Sequence, residues 1–333
     1  MKKLLLCLIV SCFLVGAVFS AGEQEATGDS EGITIAYVTP ALHVPFWKNV
    51  SDGIKQEAEK LGQKVTIIDS DSELNAATQL QNVQDLIQRG VDGIIISPTD
   101  SASCPPVLEL AKADGIPVVI SDIGTDSGEY VSFIISDNFE GAYQAGEYLA
   151  RIMKKKGWEN GDVAQIAISQ ARQNGRDRTA GFEKAMTEAG INVVNLLQCN
   201  QYTRGESFNF TQDLMAAHEN LHGLFTQHDE ANLGALSALE NTGDYKNIAH
   251  VGFDGSPETV EAIKSGDRIA AASMQQPVLM GRESFKAMWK YLNGETPEER
   301  VLVPTILVTR ENVLDVEDQL ADNVFPAELE AQK

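Results

Sequence analysis

The sequence predicts an α/β fold of two doubly wound parallel sheets, and three observations carry that expectation. Apolar runs rich in Val and Ile alternate with amphipathic helical patterns along almost the whole chain, which is the βαβ rhythm of an open parallel sheet. The runs are apolar on both faces, as strands covered by helices on both sides must be. The rhythm breaks once: the nine residues 123–131 between two such runs are too few for a crossover helix. One sheet therefore ends there, and a second begins after Asp137.

In chain order, the expected strands of the first half are 34–39, 64–70, 91–97, 116–122 and 131–137. The helix after the first places Val50, Ile54, Ala58 and Leu61 on one face; the next does the same with Leu80, Val83, Leu86 and Ile87. The second half repeats the pattern with strands at 163–169, 191–198, 223–228, 248–254 and 269–275. A late apolar run at 301–308 has no obvious place in the second sheet, which implies that the chain crosses back. Strand after strand stops on a polar group: Asp122, His228 with Asp229, Asp254 and Gln275. In open parallel sheets the carboxyl ends of the strands line the ligand crevice, and carboxylate, amide and imidazole groups there suit a neutral polyhydroxylated molecule.

The N-terminus sets the compartment. Lys2 and Lys3 precede an apolar run at 4–19, and Val18 and Ser20 supply small residues for a cut before Ala21. Residues 1–20 thus read as a secretory signal peptide and 21–31, small and acidic, as a flexible tether. Export follows. A retained transmembrane anchor and a lipoprotein signal with its cut before Cys12 are the alternatives, the first set behind because the run is short for a span, the second because cleavage there leaves an apolar mature start. The whole chain carries a formal net charge of −22. That argues strongly against nucleic acid, whose phosphates nothing here could neutralise, and permits a neutral or cationic ligand. Cys7 and Cys12 leave with the signal. Cys104 and Cys199 fall in different halves and have no CxxC or zinc spacing, so free thiols are expected.

Several blocks together resemble the type I periplasmic binding proteins, specifically the ribose-binding-protein-like sugar binders of ABC transporters: PFW at 45–47, NVQDLIQRGVDGIIISPTDS at 82–101, GIPVVISD at 115–122, ISDNFEGAYQAGEYLA at 135–150, GRDRTAGF at 175–182, FTQHDEANLGALSAL at 225–239, VGFDGSPE at 251–258 and QQP at 275–277. The resemblance spans roughly 33–315. It implies two lobes joined by a three-crossing hinge, with crossings near 135–137, 275–277 and 304–308. The lobes are then 32–136 with 276–305, and 137–275 with 306–318, leaving 319–333 as a C-terminal tail. It also implies a ligand site. Phe46, Trp47 and Tyr202 stack on a sugar ring, Asp122 and Asp254 take hydroxyls from the two lobes, Arg176 is the second-lobe arginine, and His228 and Gln275 complete the set. Departures bear on specificity. Ile123 stands where ribose binders usually have arginine, and Pro40 and Val44 where they carry serine and asparagine, so ribose itself is not carried over. His43 is a candidate for part of the lost polarity.

Other motifs are set aside. His218-Glu219-Asn220-Leu221-His222 spells HExxH, a zinc signature only when both histidines share one helix, but the next expected strand begins at Gly223. No Walker, GxGxxG or calcium-loop sequence occurs. A transcriptional regulator would need a DNA-binding segment where the signal peptide lies. A sugar-processing enzyme would need a nucleophile or metal beside Asp122 and Asp254. The expectation is a monomeric solute-binding protein, not an enzyme and without cofactor or metal, that captures a monosaccharide or sugar alcohol and passes it to an ABC transporter permease. The alternative is a sugar-sensing role for a chemoreceptor or sensor kinase.

Overall fold

The computed structural model describes residues 33–71, 74–266 and 268–325. The signal-peptide and tether expectations, and the last eight residues of the expected tail, lie outside them.

The chain runs β1 (Ile35–Thr39), α1 (Pro45–Lys60), β2 (Val65–Asp69), α2 (Ala76–Gln88), β3 (Gly93–Ile96), α3 (Cys104–Ala113), β4 (Val118–Ser121) and β5 (Ser132–Ser136). It continues through α4 (Asn138–Lys156), β6 (Asp162–Ala167), α5 (Gln173–Ala189), β7 (Asn192–Gln198), α6 (Arg204–Ala217), β8 (Leu221–Thr226), α7 (Asp229–Thr242), β9 (Ala249–Phe253), α8 (Pro257–Lys264) and β10 (Ala271–Met274). It closes with α9 (Pro277–Leu292), β11 (Arg300–Val303), β12 (Ile306–Thr309) and α10 (Glu317–Asn323). The first sheet has the order β11-β5-β4-β3-β1-β2 and the second β12-β10-β9-β8-β6-β7. The two sheets thus share one strand order.

The inner strands feed both faces of their sheets. Ile94 and Ile96 of β3 pack with Val83, Leu86, Val107 and Leu108 of α2 and α3. Ile95, one residue out of phase, packs with Val50, Ile54, Phe285 and Met288 of α1 and α9. This is the period-two alternation of a strand buried on both sides. Helix starts are fixed by side chains: Asn75 accepts from the Thr78 N–H, Asp137 from Glu140 and Ser256 from Thr259.

Three crossings join the sheets. Asp137 ends β5 and caps α4, which covers the second sheet with Ala142, Ala145 and Leu149. Gln275 and Gln276 lead from β10 back to α9 over the first sheet. The late apolar run proves to be two short strands: β11 pairs parallel with β5, and β12, after Pro304 and Thr305, pairs antiparallel with β10. Gln276 Nε2 donates to the Pro304 carbonyl at 2.8 Å, tying two crossings together. Part of the stretch from 319 expected as tail is helical, since α10 buries Leu320 and is followed by the buried pair Val324 and Phe325.

α1 and α9 meet backbone to backbone. A Cβ on Gly281 would come within 2.1 Å of the Val50 carbonyl oxygen, and one on Gly53 within 2.0 Å of that of Val278. Gly281→Ala should therefore destabilise by about 1–3 kcal/mol through forced helix separation, despite the better helix propensity of alanine. A fall in the urea midpoint at unchanged m-value is the expected readout.

Candidate functional site

Between the carboxyl ends of the two sheets lies a cleft of about 840 Å³, lined from both halves by Phe46, Trp47, Asn49 and Asp122, and by Arg172, Asn174, Arg178, Tyr202, His228, Asp254 and Gln275. Sequence order explains the convergence, because each group sits at or just past a strand end or in the first turns of the following helix.

The backbone is strained where it meets the cleft. Among the described residues, four non-glycines have left-handed φ: Asp71 at 63°, Asp122 at 68°, Tyr202 at 54° and Asp254 at 65°. All four line the cleft. They fall at matching places, Asp71 and Tyr202 after the second strand of each half, and Asp122 and Asp254 after the fourth. Such conformations cost on the order of 1–3 kcal/mol each, so the surrounding fold pays to aim these side chains.

On the first half, Pro45 at the start of α1 sets the entry of Phe46 and Trp47, whose rings meet edge to face at 4.8 Å. Trp47 packs against Ala41 and Ile123. Ile123 thus supports the aromatic from beneath and does not line the cleft, whereas Val44 does. Asp122 Oδ2 accepts from Asn174 Nδ2 at 3.1 Å, a bond that reaches across from the second half.

On the second half, Arg178 is the organising group, only 2% exposed. Its Nε donates to Asn138 Oδ1 at 2.8 Å and its Nη1 to the Gln227 carbonyl. It stands 3.5 Å from Asp254 Oδ1 and lies over the Phe253 ring at 4.0 Å. Gln275 Nε2 donates to the same Asp254 oxygen at 2.6 Å. Tyr202 meets His228 edge-on at 5.5 Å, and the Arg172 guanidinium lies 5.1 Å from the Tyr202 ring centre. Two buried acceptors in the cleft, Asn174 Oδ1 and Gln275 Oε1, have no hydrogen-bond partner among the described residues.

Of the residues singled out from sequence, the cleft brings together Phe46, Trp47, Asp122, Tyr202, His228, Asp254 and Gln275, with His43 at its mouth. It does not include Arg176, which binds the Gln170 carbonyl and Gln173 Oε1 and approaches Asp126 at 3.9 Å on the surface. Positions two apart on a helix diverge by about 200°, so Arg178 faces inward when Arg176 faces out. The sequence reading took the first arginine of GRDR when the fold uses the second. Arg172 and Asn174 were also missed. They precede or begin α5, where no strand pattern marks them. His218 lies just past α6 and His222 on β8. Among the described residues, no group of three or more His, Cys, Asp or Glu is arranged to hold a metal ion.

In the cleft Asp122 and Asp254 stand against Arg172 and Arg178, and the lining also carries Asp71, Asp229, Glu230 and Glu258 against Arg204. Burial pushes the His228 imidazole down to about 3, aided by the nearby Arg178 and Arg172, and burial alone does the same to His250. Both rings stay neutral in the folded state while the unfolded chain protonates near 6.5. Stability is therefore fully present above pH 6.5 and is lost as pH falls from there toward 3, by up to about 1.4 kcal/mol per pH unit for each ring. Urea titrations between pH 7 and 4.5 should show that slope, and it should be reduced by His250→Asn.

The chain matches the family model described as periplasmic binding protein domain over residues 35–296. It is 34% identical over 311 residues to the ribose import binding protein of Escherichia coli K12, covering 93% of this chain and 99% of that one. It is 30% identical over 281 residues to the D-apiose import binding protein of Actinobacillus succinogenes, covering 84% and 88%. Among solved structures, the carbohydrate transporter solute-binding protein of Agrobacterium radiobacter in complex with D-arabinose superposes with a TM-score of 0.80 at 27% identity, covering 87% of this chain and 99% of that one. A solute-binding protein from Mycobacterium smegmatis with bound glycerol gives 0.78 at 30% identity, covering 85% and 96%.

Proposed function

This chain belongs to the periplasmic binding protein family, and on that premise we propose that it is an extracytoplasmic solute-binding protein that captures a monosaccharide or sugar alcohol and delivers it to the membrane permease of an ABC transporter. The single observation that carries the ligand class is the composition of the deep cleft. Carboxylates set beside guanidinium groups, two orphaned amide oxygens and flanking aromatic faces together match a molecule with hydroxyls on its edges and C–H groups on its faces. Ionised partners make hydrogen bonds to hydroxyls worth about 1.5–3 kcal/mol each, and each aromatic contact adds on the order of 1 kcal/mol. The relatives are transport binding proteins, and capture without turnover is the reading adopted here.

We assign 32–136 with 276–305 to one lobe and 137–275 with 306–318 to the other, acting as a monomer in the periplasm. Ligand groups come from both, so full contact exists only when the lobes close, and the ligand favours the closed state by its differential affinity. Asn174 to Asp122, Arg172 Nε to the Thr99 carbonyl at 3.0 Å and the Gln173 N–H to Ser101 Oγ at 3.1 Å are contacts of that closed arrangement.

The test is a thermal-shift screen of the mature protein against monosaccharides, deoxysugars and polyols, followed by small-angle scattering. A ligand at a hundred times its Kd should stabilise by about 2.7 kcal/mol and reduce the radius of gyration. No shift with any sugar or polyol, or conversion of a bound sugar into product, would overturn the reading.

A further inference from the structure

We propose that Cys199 is a positioning residue for the ligand site: a buried chain, Ser207 O–H to Cys199 Sγ and Cys199 S–H to His228 Nε2, locks His228 in the tautomer that carries its proton on Nδ1, so that the ring offers the ligand a donor and not an acceptor. The inference rests on the sugar-binding reading of the cleft, but its first readout does not.

The geometry is compact. Cys199 follows β7 directly and is 1% exposed. Its sulfur lies 3.4 Å from His228 Nε2 and 3.7 Å from Ser207 Oγ, both within reach of a sulfur hydrogen bond. Three groups share two links, and the sulfur, with one proton, can donate in only one of them. The fully buried Ser207 hydroxyl has no other acceptor among the described residues, so its proton goes to the sulfur. The thiol has a single proton, and a weak S–H donor is best matched by the imidazole lone pair. The S–H therefore points to Nε2. In a neutral imidazole one nitrogen is donor and the other acceptor, so the ring proton resides on Nδ1. Neutrality holds on both sides of the link: burial keeps the thiol up at about 12 and the imidazole down at about 3. The ring lines the cleft, and among the described residues its nitrogens have no other hydrogen-bond partner than Cys199. Tyr202, edge-on at 5.5 Å, limits its rotation.

The consequence is a rule of selectivity. At His228 the ligand must present an acceptor, either a ring oxygen or a hydroxyl oxygen. A substituent that can only donate, such as an ammonium group, is rejected. Without the thiol, Nε2 competes for the proton and the rule is lost.

The experiment uses the mature protein labelled with ¹⁵N-histidine, His228 being assigned by its absence in H228N. Ring nitrogen shifts read the tautomer directly, without ligand. The wild type should show the proton on Nδ1, and Cys199→Ser, whose hydroxyl can relay as the thiol does, should keep it. Cys199→Val, which fills the space with no proton to give, should shift the population toward Nε2–H. With D-arabinose and 2-deoxy-D-ribose as probes, C199V should lose about tenfold in affinity, equivalent to one hydrogen bond, while C199S stays within about threefold. A wild-type ring protonated on Nε2, or C199V and C199S alike in tautomer and affinity, would refute the proposal. If the wild type binds no sugar, the functional reading fails while the tautomer result still decides the buried chain.

Discussion

Arg178→Ala should lower affinity for the bound sugar at least about a hundredfold and reduce folding stability by about 3–5 kcal/mol, the range for breaking a buried ion pair from one side. Arg178 ties α5 to Asn138 at the first crossing and to the Gln227 carbonyl at the end of β8, and it stands beside Asp254 in the cleft. Its loss takes a guanidinium from beside the Asp254 carboxylate, which then shifts from its aim or admits water. Either change removes a charge-assisted acceptor for ligand hydroxyls. Arg178→Lys should recover part of the stability but little of the affinity, because an ammonium cannot reach three directions from one plane. Calorimetric titration and urea unfolding, run on both variants, separate the two effects. Arg176→Ala provides the contrast. Its side chain is 41% exposed, and its loss should leave affinity within about twofold, as surface ion pairs contribute little.

That contrast shows how the sequence was legible and where it stopped being so. Strands buried on both faces announce themselves by unbroken apolar runs, which is why Ile94 to Ile96 or Val118 to Ile120 could be placed without a structure. A polar residue ending such a run is equally visible, and Asp122, His228, Asp254 and Gln275 follow from that rule. Helix phase is harder. GRDR offers two arginines, and only the packing of α5 on α4, where Gly181 lies against the Phe139 carbonyl, decides which one turns inward. Arg172 and Asn174 sit where a loop becomes a helix, and their inward aim depends on contacts with Thr99 and Asp122 from the other half. No local pattern encodes contacts so distant in sequence. The short strands β11 and β12 were read as one run for a related reason: the break at Pro304 is visible, but the change of sheet is a tertiary fact.

Selectivity against ribose is the second large effect expected. The resemblance to ribose binders implies asparagine at the position of Val44 and arginine at that of Ile123. Here Val44 lines the cleft with an apolar surface, and Asn174 already donates to one oxygen of Asp122. A ribose hydroxyl turned toward Val44 is buried without a partner, at a cost of about 1–3 kcal/mol, or roughly five- to hundredfold in Kd. A deoxysugar or short polyol that lacks that hydroxyl should bind tighter by the same factor. Val44→Asn should reverse the order. Val44 is also the N-cap of α1, extended at φ −85° and ψ 122° with no side-chain cap, so asparagine there should add about 1 kcal/mol to stability as well. The ratio of ribose to 2-deoxyribose affinity, measured in one calorimetric series, isolates selectivity from that general gain. Ile123→Arg should not rescue ribose. Ile123 is fully buried against Trp47 and Ala41, so a guanidinium there must displace the aromatic or bury its charge unpaired. It should lower stability and affinity for every sugar together. Tight ribose binding by the unmodified protein, or an unchanged ratio in V44N, would show that the Val44 face does not meet a ligand hydroxyl.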